Sequence, residues 1–91
     1  MKYPVAIFTD NENGCITACA PDLGACTEDD TYDGMIEMIR DAAQGLAESM
    51  RDDGMKVPPP SSIDKFKSDP FYKDWQWIEV DLGIEPDPVS E

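Results

Sequence analysis

The side chains that could do chemistry in this sequence are cysteines and carboxylates. Cys15, Cys19 and Cys26 form an odd set without a Cys-x-x-Cys pair, and the chain contains no histidine. Because zinc usually takes four Cys or His ligands, one chain cannot assemble the usual set. We therefore expect no metal site, and we predict no cofactor. In a cytoplasmic protein we also expect the thiols to be reduced.

Carboxylates such as Asp10, Asp22 and Asp30 suggest one enzymatic alternative, a nuclease that holds magnesium. Carboxylates at strand ends are what metal-assisted hydrolysis needs. These acids, however, fall in predicted turns and at a helix start, where solvation and capping explain them. No basic residue stands beside them to bind phosphate. The sequence therefore favours a protein that is not an enzyme and has no catalytic residues.

The charge balance restricts the partners of the chain. Twenty acidic and seven basic residues give a net charge of −13 at pH 7. Such a field repels nucleic acid and attracts basic surfaces, although acidity can also serve solubility alone. Direct nucleic-acid binding is not expected, and a homodimeric DNA-binding repressor is a disfavoured alternative. The nearest approach to a basic patch, Lys65, Lys67 and Lys73, is cancelled by Asp64, Asp69 and Asp74.

Nothing in the sequence predicts export or membrane insertion. The start, Met1-Lys2-Tyr3-Pro4, lacks an apolar leader, and no window approaches the roughly 18 apolar residues of a membrane span. We expect one cytoplasmic domain over residues 1–82, followed by an acidic, disordered tail over residues 83–91.

Alternation of apolar and polar residues predicts the strands. Residues 3–9 and 15–20 flank a turn that ends in Asn13-Gly14, which is typical of a hairpin. Pro21 ends the second strand, and residues 25–28 suffice for a short third one. Residues 75–82 alternate most clearly: Ile78, Val80 and Leu82 share one face, and Trp75, Trp77, Glu79 and Asp81 share the other.

A long helix is predicted near residues 31–53. Asp30 or Thr31 can cap its start, and Gly54 provides the left-handed stop. Apolar residues recur at steps of three and four, so we expect Ile36, Ile39, Ala43 and Leu46 to be buried. This stripe could form a partner groove, but packing on the protein's own sheet explains it more simply. Proline-rich residues 57–62 and a short helical turn at 63–66 then lead to the last strand.

These elements indicate an α+β fold: a small antiparallel sheet of three to four strands with one long helix packed on one face. One helix covers only one face of the sheet. We therefore expect the second face, or an edge strand, to meet a partner or a second copy, and we predict a homodimer or higher homo-oligomer.

The sequence resembles the HicB family of bacterial antitoxins, in its single-domain form, over about residues 3–82. The resemblance rests on short motifs in the family's order. They are Tyr3-Pro4-Val5, the turn at 10–14, Pro21-Asp22-Leu23-Gly24-Ala25-Cys26, Asp30-Thr31, Gly54, Val57-Pro58-Pro59-Pro60-Ser61 and Val80-Asp81-Leu82. The loop lacks the family's second proline and carries an extra Ala25, and Asp33-Gly34 replaces a common Glu-Ala pair.

The resemblance implies a partial ribonuclease-H-like or ferredoxin-like sheet and a basic partner, the HicA toxin, which cleaves messenger RNA. Many relatives also carry a DNA-binding tail, for which residues 83–91 are too few. We therefore expect an antitoxin that binds and neutralises such a toxin; a HicB-like interaction domain with another partner is the alternative. The predicted partner-binding residues are Glu28, Asp29, Asp30, Asp33, Trp75, Trp77, Glu79 and Asp81, although the acids could only cap the helix and the tryptophans could only fill the core.

Overall fold

Four antiparallel strands form one sheet, which the computed structural model describes together with the rest of residues 1–86. The order along the sheet is β3-β2-β1-β4. In chain order the elements are β1 (Lys2–Thr9), β2 (Ile16–Ala20), β3 (Ala25–Asp29), α1 (Tyr32–Asp52), α2 (Asp64–Lys67), a 3-10 helix (Pro70–Tyr72) and β4 (Gln76–Asp81). The predicted α+β architecture is confirmed, and the last strand returns beside the first.

Local hydrogen bonds explain the β1–β2 hairpin. The Asp10 side chain accepts from the Glu12 backbone N–H at 2.9 Å, and the Gly14 N–H donates to the Asp10 carbonyl at 2.8 Å. Gly14 has a φ of +72°, a conformation that favours glycine. The Asn13-Gly14 signal therefore predicted this turn for the correct physical reason.

The start of α1 is fixed by two side chains. Thr31 Oγ1 accepts from the Gly34 N–H at 3.0 Å, and Asp29 Oδ2 accepts from the Thr31 N–H at 3.2 Å. A Cβ at residue 34 would collide with the Asp29 carboxylate, so this capping arrangement requires glycine. The helix ends before Gly54, whose φ is +77°. The predicted cap and stop are thus confirmed.

The buried side of α1 differs in part from the prediction. Met35, Ile39, Ala43 and Ala47 are buried, and each large side chain among them contributes about 1.5–3 kcal/mol by leaving water. Ile36 is only partly buried, and the prediction for Leu46 was wrong because 37% of it is exposed. The helix is rotated so that its 35–39–43–47 row, rather than the 36–46 pair, meets the sheet.

α1 packs on the β2 and β3 half of the sheet. The segments that follow α1 and β4 complete the core over the other half of the sheet. They contribute the buried side chains of Val57, Leu82 and Ile84. Tyr3, buried in β1, donates its hydroxyl to the Pro58 carbonyl at 2.6 Å. The first part of the expected tail therefore packs against the domain, since Ile84 is buried in the core and the Glu85 carbonyl accepts a hydrogen bond from Arg51. Residues 87–91 lie outside the described residues.

The expectation of three reduced thiols is contradicted by the fold. Cys19 and Cys26 are joined in a disulfide, and Cys15 is the free cysteine. Cys19 in β2 stands directly opposite Cys26 in β3, with 4.1 Å between their Cα atoms. Strand register, which cysteine spacing does not reveal, brings the two sulfur atoms together.

Candidate protein-binding surface

The sheet face turned away from α1, here called the second face, gathers side chains from all four strands. Because Tyr3, Val5 and Ile7 point into the helix-side core, alternation places Phe8 on the second face. Phe8 is paired with Thr17, and Thr17 with Glu28, in adjacent strands.

A second row runs parallel to the first across the same face. Ala6 in β1 stands between Cys19 of β2 and Trp77 of β4. The disulfide to Cys26 continues this row to the β3 edge. Strand register therefore gives the second face an aromatic side, toward β4, and an acidic corner at Glu28.

The aromatic side is larger than the sequence predicted. The crossover between α1 and β4 passes over this side of the second face, which the prediction left uncovered. The Phe66 ring stacks on Trp77 with centroids 5.8 Å apart, and Tyr72 meets Trp77 edge-on at 5.2 Å. Trp75 contacts Phe8 at 5.7 Å and Phe71 at 5.6 Å. We call this set the aromatic cluster: Phe8, Phe66, Phe71, Tyr72, Trp75 and Trp77.

Exposure within the aromatic cluster is graded. Phe71 is 65% exposed and Phe8 40% exposed, whereas both tryptophans are half-buried. Burial, with a smaller contribution from Asp69, raises the pKa of the Tyr72 phenol above its ordinary value. The cluster thus offers an apolar surface held in place by its own ring contacts, and aromatic side chains of this kind concentrate binding energy.

The four predicted acids near the start of α1 have different roles. Glu28 is exposed on the second face. Asp29 points to the helix side, where it caps Thr31, and Asp30 accepts a hydrogen bond from the Cys15 thiol at 3.6 Å. Asp33 is exposed in the first turn of α1. Asp29 and Asp30 therefore make local hydrogen bonds that support the fold, whereas Glu28 and Asp33 are presented at the surface.

The two predicted acids of β4 also differ. Glu79 is exposed and paired with Pro4, on the same face as Trp77. Asp81 accepts from the Gly83 N–H at 2.9 Å and lies 3.4 Å from the N-terminal amine. The hydrogen bond from the Gly83 N–H, and to a smaller extent the contact with the N-terminal amine, hold the pKa of Asp81 below its usual value. Of the eight predicted residues, the structure brings Glu28, Trp75, Trp77 and Glu79 onto one accessible surface, and it ties Asp29, Asp30 and Asp81 into local contacts.

The carboxylates considered for magnesium are separately engaged. Asp10 bonds within its own turn, and Asp22 accepts from the Ser61 N–H at 2.9 Å. Across residues 1–86 no group of three or more Cys, Asp or Glu side chains is placed to hold a metal ion. No helix in this part of the chain is long and apolar enough to cross a membrane.

Sequence reasoning missed the crossover aromatics Phe66, Phe71 and Tyr72. A signal was present in Asp69-Pro70, since an aspartate cap before a proline favours a helical turn. Asp69 Oδ1 accepts from the Phe71 N–H at 3.0 Å, and this bond caps the start of the 3-10 helix that carries Phe71 and Tyr72.

Comparison with known proteins identifies one matching family model and several similar structures. The family described as "HicB_like antitoxin of bacterial toxin-antitoxin system" matches residues 3–89. The N-terminal domain of the Burkholderia pseudomallei antitoxin HicB has a TM-score of 0.74 at 24% identity, over 89% of this chain and 96% of that one. The antitoxin HicB of the same organism has a TM-score of 0.73 at 25% identity, over 100% and 75%.

A third similar structure is described as the HicA3 and HicB3 toxin-antitoxin complex. It has a TM-score of 0.71 at 24% identity, over 89% of this chain and 96% of the matched chain. No curated protein matches the chain significantly. The structural likenesses agree with the antiparallel sheet and single long helix described above.

Proposed function

The chain belongs to the HicB-like antitoxin family, and we propose that it binds and neutralises a basic, mRNA-cleaving toxin of the HicA type. The observation that carries this proposal is the family match over residues 3–89. A similar structure, the HicA3 and HicB3 complex, pairs a toxin with an antitoxin of this fold. We place this antitoxin in the cytoplasm, where a toxin that cleaves mRNA would act.

The second face supplies chemistry suited to such a toxin. A protein that holds RNA needs a basic surface, and a chain with a net charge of −13 attracts one over a distance of about a Debye length, roughly 8–10 Å. Glu28 on β3 and Glu79 on β4 are both exposed on the second face. The acids would accelerate the encounter, and the rings would slow dissociation by excluding water.

Charge reversal at Glu28 tests the electrostatic part of the proposal. Glu28→Lys should lower the association rate of a HicA-type toxin and weaken the salt dependence of that rate. Asp41→Lys is the matched control, because it makes the same charge change on the solvent side of α1, across the sheet from the second face. The measurement is surface plasmon resonance at several salt concentrations, with RNA cleavage followed in parallel.

Two aromatic substitutions test the contact surface. Phe71→Ala removes an exposed ring and should speed dissociation by about tenfold, corresponding to roughly 1.4 kcal/mol. Trp75→Ala should have a larger effect, with circular dichroism to verify that the fold survives. Binding constants unchanged by all three changes on this face would reject the surface. Failure of the parent chain to bind the toxin or to stop RNA cleavage would reject the antitoxin role itself.

A further inference from the structure

The crossover between α1 and β4, residues 53–75, carries much of the aromatic cluster but has little packing of its own. Phe66, Phe71 and Tyr72 belong to it, and no residue from 58 to 75 is buried. A segment without buried side chains is held by individual hydrogen bonds and surface contacts, and it opens more readily than an element of the core. The position of these rings therefore depends on the bonds that attach the crossover to the sheet.

Two side chains attach the first part of the crossover to the sheet. Tyr3 donates its hydroxyl to the Pro58 carbonyl. Asp22 Oδ2 accepts from the Ser61 N–H at 2.9 Å, and Asp22 Oδ1 accepts from the Ser61 hydroxyl at 2.5 Å. Asp22 thus uses both carboxylate oxygens on one residue of the crossover. Hydrogen bonds to a charged acceptor are roughly twice as strong as bonds between neutral groups, so this is the stronger attachment.

The carboxylate of Asp22 is itself fixed relative to the sheet. Asp22 lies in the turn that joins β2 to β3, where the Leu23 N–H donates to the Ala20 carbonyl at 3.1 Å. The side chain of Leu23 is buried in the core. Because its turn is closed and anchored while Ser61 is not buried, Asp22 determines where Ser61 lies.

We propose that Asp22 is a positioning residue of the surface to which we assign toxin binding, a role that rests on the function proposed above. By holding Ser61, Asp22 keeps Phe66 and Tyr72 against Trp77. When these bonds are broken, the crossover can leave the second face, and the chain then presents an incomplete aromatic cluster. A partner that binds only the complete cluster then finds a smaller fraction of competent chains.

Positioning has a kinetic signature that differs from that of a direct contact. Loss of the attachment lowers the fraction of chains that can bind, so the association rate should fall. The dissociation rate should stay the same, because the complete cluster is in place once the toxin is bound. Phe71→Ala, which removes a contact, should instead speed dissociation.

Asp22→Ala and Asp22→Asn form the test pair, because both remove the same charge and only alanine removes both hydrogen bonds. Asparagine can accept from the Ser61 N–H through its carbonyl oxygen and donate to the Ser61 hydroxyl through its amide. The association rate of a HicA-type toxin should fall about threefold or more in Asp22→Ala and stay within about twofold of the parent in Asp22→Asn. Ser61→Ala keeps the charge and the N–H bond, so it should show a smaller fall than Asp22→Ala.

Tryptophan fluorescence of the free chain supplies a measurement that does not need the toxin. The chain has two tryptophans, Trp75 and Trp77, and both belong to the aromatic cluster. If the crossover is released, Trp77 loses its contacts with Phe66 and Tyr72 and meets water. The emission of Asp22→Ala should therefore shift to longer wavelength, and the emission of Asp22→Asn should not. Far-ultraviolet circular dichroism verifies that each variant is folded.

Unchanged association and emission in Asp22→Ala would overturn the proposal. An Asp22→Asn variant that binds as slowly as Asp22→Ala would also overturn it, because the effect would then belong to the charge. So would faster dissociation at an unchanged association rate, which would place Asp22 in direct contact with the toxin. If Asp22→Ala does not fold, Ser61→Ala decides by the same measurements. If the parent chain does not bind the toxin, the antitoxin role falls, and the emission spectra still decide whether Asp22 positions the rings.

Discussion

Replacement of Gly45 by alanine should stabilise the monomeric chain. Alanine is favoured over glycine in a helix interior by about 0.8–1 kcal/mol, because it loses less backbone entropy on folding. The structure adds no opposing cost, since the new methyl group meets no atom within 4 Å. The residue is exposed and its φ is not positive, so the full propensity difference should be realised.

The expected change is large enough to measure. For a chain of 91 residues, the average unfolding entropy per residue converts 1 kcal/mol into a rise in Tm of roughly 5 °C. Thermal unfolding followed by circular dichroism should be measured at the lowest practical concentration, where self-association contributes least.

Gly34→Ala is the control for this measurement. It makes the same substitution in the same helix, but its Cβ would collide with the Asp29 carboxylate that caps Thr31. It should therefore lower Tm. A Gly45→Ala variant with an unchanged or lower Tm in dilute solution would refute the reasoning, because it would mean that the glycine is required within one chain.

Three further outcomes follow from the core, the disulfide and the chain termini. Ile39→Ala should lower the free energy of unfolding by about 2–5 kcal/mol because Ile39 is fully buried, whereas the partly exposed Leu46 should lose less than about 1.5 kcal/mol in Leu46→Ala. Chemical denaturation measures both, and equal losses would contradict the observed rotation of α1. Thiol titration of the unfolded protein should give one thiol per chain before reduction and three afterwards; three before reduction would contradict the disulfide. Since the folded pKa of Asp81 is lowered, its stabilising effect should be complete above the unfolded value of about 3.9 and lost as pH falls through the folded value. Asp81→Asn should remove that part of the acid dependence in an unfolding titration between pH 5 and 2, and an unchanged profile would argue against the contacts with Gly83 and the N-terminus.

Local signals predicted much of this fold because their causes are local. The helix expected near residues 31–53 spans Tyr32–Asp52, since a threonine cap and a left-handed glycine act within one turn of its ends. The alternating residues 75–82 contain β4 at Gln76–Asp81 for the same reason. The two-residue alternation along β4 also predicted correctly which side chains face the core, since Val80 and Leu82 are buried there.

Features that depend on long-range geometry could not be predicted from local sequence signals. Which helical row meets the sheet depends on where α1 lies over β2 and β3, so Ala47 rather than Leu46 is buried. The disulfide depends on the register of β2 with β3. The position of Phe66 on Trp77 depends on the path of the crossover, and neither register nor path is encoded in a short segment. The acids of one run were separated because β3 alternates, which turns Asp29 toward the helix and Glu28 away from it.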